Sequence, residues 1–229
     1  MVGSSLTYFH ECFRNRYYIW FFVGTTLIEL AVCARPFSII FYNDTLKIPL
    51  ETFGKVMFWS SAASMLLTLP AGFLSDRWHP LRLVILGSAG TAVVTILSFF
   101  FVNDARSMLI FQLAAVPPSV LYMVAVLPMY AALLPKERYG QMCSAQAMLR
   151  SVAMIFGGFA AGLLMDLTGS YRYFFVWTAA CIAVSLIPLF LVYIGWKRYG
   201  GAENYVPPSV DIARGGAAVA SENVVGKSS

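Results

Sequence analysis

Six long apolar runs, separated by short polar stretches, dominate the chain. They fall at residues 17–42, 53–74, 81–102, 108–134, 141–165 and 174–196. Each is long enough for a helix to cross the hydrocarbon layer, which takes roughly 20 apolar residues. Strands of a membrane barrel would instead read as short segments of alternating apolar and polar positions, and an uninterrupted run such as 83–102 does not alternate. The pattern predicts an all-α integral membrane protein with six transmembrane helices. Residues 1–16 form a short leading segment, 17–196 the membrane domain and 197–229 a tail. The tail's Gly, Ala, Ser, Val and Pro with scattered charge cannot bury enough apolar area to offset the entropy of ordering, so it is expected to be disordered.

Composition strengthens this reading. Hydrophobic residues make up 59% of the 229 and charged residues only 12%, with a mean hydropathy of +0.71. A soluble core of that size would need a larger charged shell than 16 Lys and Arg with 11 Asp and Glu provide. Lipid is therefore the expected partner over most of the surface. The first apolar run is too long for the core of a secretory signal and lacks a small-residue cleavage site, so it is expected to be retained. Four cysteines, Cys12, Cys33, Cys143 and Cys181, are scattered and form no metal or disulfide pattern.

Charge sets orientation, because Lys and Arg are retained preferentially on the cytoplasmic side. Ten of the 16 fall in the leading segment, the second and fourth loops and the tail: Arg14, Arg16, Arg77, Arg82, Lys136, Arg138, Lys197, Arg198, Arg214 and Lys227. The odd loops hold Lys47, Arg106 and Arg172, while Arg35, Lys55 and Arg150 lie within or at the edge of spans. Both termini are predicted to be cytoplasmic, in a multi-pass cell-membrane protein (the inner membrane in a bacterium). The net charge of +5 reads as this signal plus contact with anionic headgroups, not as nucleic-acid binding, because no basic run interleaves with aromatics.

The second loop carries the most specific motif, Gly72-Phe-Leu74-Ser-Asp76-Arg77-Trp-His79-Pro80-Leu-Arg82. Gly72 would let neighbouring helices approach, and Asp76 could cap the next helix or pair with a nearby cation. The alternative is an ordinary polar turn that anchors two helices. G-x-L-x-D followed six residues later by Arg recurs at Gly162, Leu164, Asp166 and Arg172, an offset of three helices. An inverted repeat of three plus three helices would place the two copies on opposite sides of the membrane, as they are predicted to lie.

The second-loop motif resembles the signature of the major facilitator superfamily, G-x-L-x-D-R-x-G-R-x-R. His79 stands where that signature has glycine and Pro80 where it has a basic residue. Pro135, Glu137, Arg138 and Gly140, the small-residue face Gly157, Gly158, Ala161 and Gly162, and the turn Gly169-Ser-Tyr171-Arg172 look like the closing helices of a facilitator. The Tyr-Phe-His-Glu-Cys-Phe before the first helix looks like the central loop leading into the seventh. The resemblance, over residues 8–198, implies the C-terminal six-helix half of a twelve-helix transporter near the glycoside-pentoside-hexuronide symporters. It implies transport of a small solute, sugar-like, by a rocking mechanism coupled to protons or cations, with Gly72, Asp76, Arg77 and Arg82 as a conformational gate. One half supplies one wall of the cavity. A separately encoded second half, a homodimer and a truncated product without transport all remain open, and a non-transporting membrane scaffold is the alternative function.

Charges inside spans cost roughly 2.5–3.5 kcal/mol each on insertion scales and so are functional candidates. Glu29 and Arg35 in the first helix and Arg150 in the fifth stand out. They read as a proton or cation site with two substrate-binding arginines, or as a buried ion pair and a snorkelling arginine. Glu29 and Arg35 lie about 240° apart around a helix, so direct pairing is not required. By the family's geometry Gln112, Tyr122, Gln146, Tyr130 and Trp59 are secondary lining candidates. Pro117, Pro118 and Pro128 should bend the fourth helix. Catalysis is not expected: the only histidines, His10 and His79, lie outside the spans, and no H-E-x-x-H, P-loop or dinucleotide turn occurs. No cofactor or metal is expected.

Overall fold

Asn15 opens the first helix by accepting the Tyr17 N–H on its side chain at 3.0 Å. The computed structural model describes residues 15–202 together with Tyr205, Pro207 and Pro208. His10, Cys12, Arg14, the 8–13 segment and the basic residues Arg214 and Lys227 therefore lie outside the described residues.

Helix α1 (Arg16–Val32) breaks into a turn at Cys33 and Ala34, resumes as α2 (Arg35–Ile40), and ends in a π-helical turn, Phe41–Thr45. Pro36, in the first turn of α2, has no N–H to continue the ladder. Two carbonyls next to the break are served from the last span, where Trp177 Nε1 donates to Leu30 O at 3.0 Å and Thr178 Oγ1 to Ala31 O at 3.4 Å. A broken span is tolerated at membrane depth when neighbours re-satisfy its backbone in this way.

The remaining spans are α3 (Leu50–Arg77), α4 (Pro80–Phe101), α5 (Ala105–Leu133), α6 (Tyr139–Thr168) and α7 (Phe174–Arg198). Asp104 and Ser107 form a reciprocal capping box at the start of α5. Gly169, at φ 63°, ends α6 in the left-handed conformation. Among the described residues six helical segments are long and apolar enough to cross a membrane, one for each run identified in the sequence. Helix α5 runs through Pro117, Pro118 and Pro128 without interruption.

The principal packing pairs are α1 with α7, α4 with α5, α4 with α7, α3 with α5 and α1 with α6. By span, the neighbours run second, fourth, third, sixth, first, fifth. This order maps onto itself, reversed, when the first three spans are exchanged for the last three. Small residues bring two of the pairs together. A Cβ on Gly87 of α4 would stand 2.7 Å from both Pro118 O and Tyr122 N of α5, and a Cβ on Gly157 of α6 would collide with Leu30 of α1.

Both ends of the described chain lie at one end of the bundle. There Tyr18 Oη donates to Pro208 O at 3.1 Å and Tyr205 Oη to Leu133 O at 2.9 Å. Helix α7 continues to Arg198, and Tyr205 and Pro208 fold back onto aromatic residues and a helix end that offer partners. Two apolar cores fill the two ends of the bundle. One contains Tyr18, Phe21, Leu81, Met129 and Trp196, the other Phe41, Val102, Met108, Met165 and Phe175. The second, fourth and fifth spans leave large apolar side chains uncovered, among them Met65, Met123 and Phe159, each about three-quarters exposed.

Candidate functional site

Glu29 sits at the midpoint of the broken first span, between the two apolar cores. Its Oε2 lies 3.3 Å from Arg150 Nε of α6, so two charges that sequence placed on separate helices form one ion pair. Glu29 is four-fifths covered and Arg150 about half exposed, with side-chain exposures of 21% and 55%. Arg150 is therefore the outward member of the pair and Glu29 the covered one.

Gln146 lies one turn before Arg150 on the same face of α6 and is 5% exposed. Its Nε2 donates to Thr26 Oγ1 of α1 at 3.3 Å, and its Oε1 has no partner among the described residues. Either orientation of the amide leaves one polar end free, which is costly in a covered site unless a ligand or water completes it. From α5, Tyr122 lies within electrostatic range of Glu29, Arg150 and Arg35. Tyr130 lies against Thr25 and within range of Glu29 and Arg150. Glu29, Arg35, Arg150, Tyr122, Gln146 and Tyr130 thus converge from the first, fourth and fifth spans. Arg35 is exposed and makes no ion pair with a described residue.

Gln112 makes no hydrogen bond with a described residue. It lies ten residues before Tyr122 on α5, about 15 Å along the helix. Trp59 stands 60% exposed on α3, its ring meeting only Phe58 at 5.6 Å. Thr25 and Thr26 were missed from sequence. The usable signal was spacing: Thr26 precedes Glu29 by three residues and so shares its face.

The second-loop motif differs from its sequence reading in two respects. A Cβ on Gly72 would meet nothing within 4 Å, so this glycine does not mediate close helix approach. Asp76 does not cap α4; that position belongs to His79, whose Nδ1 accepts the Leu81 N–H at 3.3 Å. Asp76 is still within the last turn of α3, exposed and without an ion pair among the described residues, as is Arg77. Arg82 turns away from both. Its guanidinium carbon lies 5.5 Å from the Trp196 ring centroid and 6.0 Å from that of Tyr193, on the closing turns of α7. Burial and the Arg82 charge together lower the His79 pKa to about 4, which keeps the imidazole neutral.

Arg172, at the matching place in the second copy of the motif, makes the reciprocal contact. Its Nε donates to Phe99 O at 2.7 Å and its guanidinium lies 5.5 Å from the Phe99 ring, on the closing turn of α4. Each motif arginine thus reaches the closing turns of the helix near whose start the other arginine lies.

No curated protein and no solved structure matches the chain. The family model described as Major Facilitator Superfamily matches residues 17–215, which takes in all six spans, the ion pair and both copies of the motif, and the chain belongs to that superfamily of membrane transporters.

Proposed function

We propose that this protein moves a small, sugar-like polar solute through a cavity walled by its first, fourth and fifth spans, with coupling to a proton or cation at Glu29. The Glu29–Arg150 pair carries the reading. It joins two helices at mid-depth through a bond that a ligand can open, since Arg150 is half exposed and charges this deep in a span are retained at a cost. Gln146 adds a polar end without a partner beside the pair, suited to a hydroxyl-bearing substrate. Tyr122 and Tyr130 supply hydroxyls and apolar ring faces opposite, and Arg35 a further cation, unpaired among the described residues.

The six spans act as two inverted three-helix units. The self-mapping order of helix neighbours and the reciprocal Arg82 and Arg172 contacts support this, as does the occurrence of proline near the middle of both the first and the fourth spans. In repeat-built transporters, proline-bearing segments at corresponding positions of the two halves point to the substrate site. The exposed apolar faces of α3, α5 and α6 pack against a second six-helix unit, in a homodimer or with another half, and the two units rock about the site. Gly72, Asp76, Arg77 and Arg82 form the gate loop of this cycle.

The termini lie on the cytoplasmic side of the cell membrane. Arg16, Arg77, Arg82, Lys136, Arg138, Lys197 and Arg198 share the termini's end of the bundle, against Lys47, Arg106 and Arg172 at the other.

Uptake of labelled sugars into proteoliposomes under an imposed proton or sodium gradient tests the reading. Wild type should accumulate a sugar, and Glu29→Gln should lose dependence on the gradient while still exchanging substrate. Coupled uptake unchanged in Glu29→Gln would make the carboxylate a structural partner of Arg150. No uptake of any solute by the inserted, folded protein would leave the scaffold reading.

A further inference from the structure

Between the third and sixth spans, at the end where both ends of the described chain lie, a groove of about 390 Å³ is lined by Trp78, Arg82, Ile85, Leu86, Phe190 and Tyr193. Its position and chemistry are unlike those of the Glu29 site. Below Arg82 the walls are hydrocarbon, and Leu86 and Phe190, 49% and 54% exposed, open it sideways to the membrane. From Arg82 to Ala89 the groove follows α4 for about 10 Å, two-thirds of the roughly 15 Å hydrocarbon depth of one leaflet.

The mouth is cationic. Tyr193 is flanked by two positive groups, the Arg82 guanidinium 6.0 Å and the Lys197 ammonium 4.8 Å from its ring centroid. Arg82 is fixed further by the Trp196 ring at 5.5 Å. Neither cation has a carboxylate within ion-pair distance among the described residues. His79 stacks on Trp196 with ring centroids 4.2 Å apart and is neutral. Two positive groups thus sit against one aromatic ring, Arg82 in the groove wall and Lys197 one turn beyond Tyr193, with no carboxylate paired to either among the described residues, above an apolar slot at the level of an interfacial Trp78.

We propose that this groove binds one glycerophospholipid with an anionic headgroup, its phosphate on Arg82 and Lys197 and an acyl chain along Ile85, Leu86 and Phe190. Charge complementarity selects the occupant. The paired cations favour a headgroup of net negative charge and disfavour a zwitterionic one, whose choline would bring a third positive group to the same spot. A soluble anion would leave the apolar slot unfilled. A basic residue near a membrane surface is worth about fivefold in binding anionic lipid, so the pair predicts a preference of roughly 25-fold. The site stands whether or not the chain transports.

Native mass spectrometry of the full chain, with phosphatidylglycerol and phosphatidylcholine of identical acyl chains at equal concentration, tests it. One phosphatidylglycerol should survive activation with at least tenfold preference. Arg82→Gln with Lys197→Gln should bring the ratio near one. Ala89→Phe, which fills the slot and leaves both charges, should reduce retention of either lipid. Arg77→Gln with Arg198→Gln, at the same end but outside the groove, should retain the preference. Lys197→Gln alone keeps the Arg82 stacking and should lose about fivefold, which preserves the test if the double variant does not fold. Equal retention of the two lipids by wild type overturns the proposal, and so does a preference that survives the groove variants.

Discussion

Replacing Arg150 with glutamine removes one charge from the pair at mid-bundle and leaves the other in place. At 3.3 Å the gross Coulomb attraction is about 5 kcal/mol for an effective dielectric near 20. Arg150 is 55% exposed, which moves the pair towards the roughly 0–1 kcal/mol of surface pairs, while Glu29, at 21%, moves it towards the 3–5 kcal/mol cost of breaking a buried pair. A coupling energy of about 1–2 kcal/mol follows. The cost is asymmetric: Arg150→Gln strands the better-covered carboxylate, whereas Glu29→Gln leaves the less covered, longer and more flexible member of the pair. Arg150→Gln should lower stability by about 2 kcal/mol, or about 4–8 °C in midpoint for a chain of this size. Glu29→Gln should cost less, and the double variant should be more stable than the sum of the singles. Thermal midpoints of the purified protein in one detergent, across the four members of the cycle, measure this. Strict additivity would refute the pair, and a larger loss for Glu29→Gln than for Arg150→Gln would refute the burial argument.

Gly87→Ala should destabilise by about 1–3 kcal/mol, because its Cβ would press on the Pro118 and Tyr122 backbone, whereas Gly72→Ala, with open space around it, should be neutral or stabilising by up to about 1 kcal/mol. Thermal midpoints of the two variants separate a close helix contact from an exposed helical glycine. His79 titrates near 4 in the folded protein against 6.5 for the free side chain. Its contribution is therefore fully present above pH 6.5 and is lost as pH falls towards 4, because the unfolded chain takes up a proton that the folded one excludes. His79→Asn keeps an N-cap acceptor for α4 and should flatten the midpoint between pH 6.5 and 4; an unchanged slope would assign the effect to other groups.

Span number and type were legible from the sequence because the bilayer imposes them locally: an apolar run of sufficient length can satisfy its backbone in lipid only as a helix. The motif at 72–82, its echo at 162–172 and the cost of charge at Glu29, Arg35 and Arg150 were legible for the same reason, since each is a property of residue type and spacing along one element. Partners were not. Glu29 meets Arg150 across 120 intervening residues, Trp177 reaches Leu30 to close the broken first span, and Gly72 faces open space while Gly87 carries the close contact. Arg82 abandons its neighbouring carboxylate for the rings of Trp196 and Tyr193. Periodicity fixes which face of a helix a residue occupies, but which other helix meets that face depends on how all six pack, and only the tertiary structure decides that.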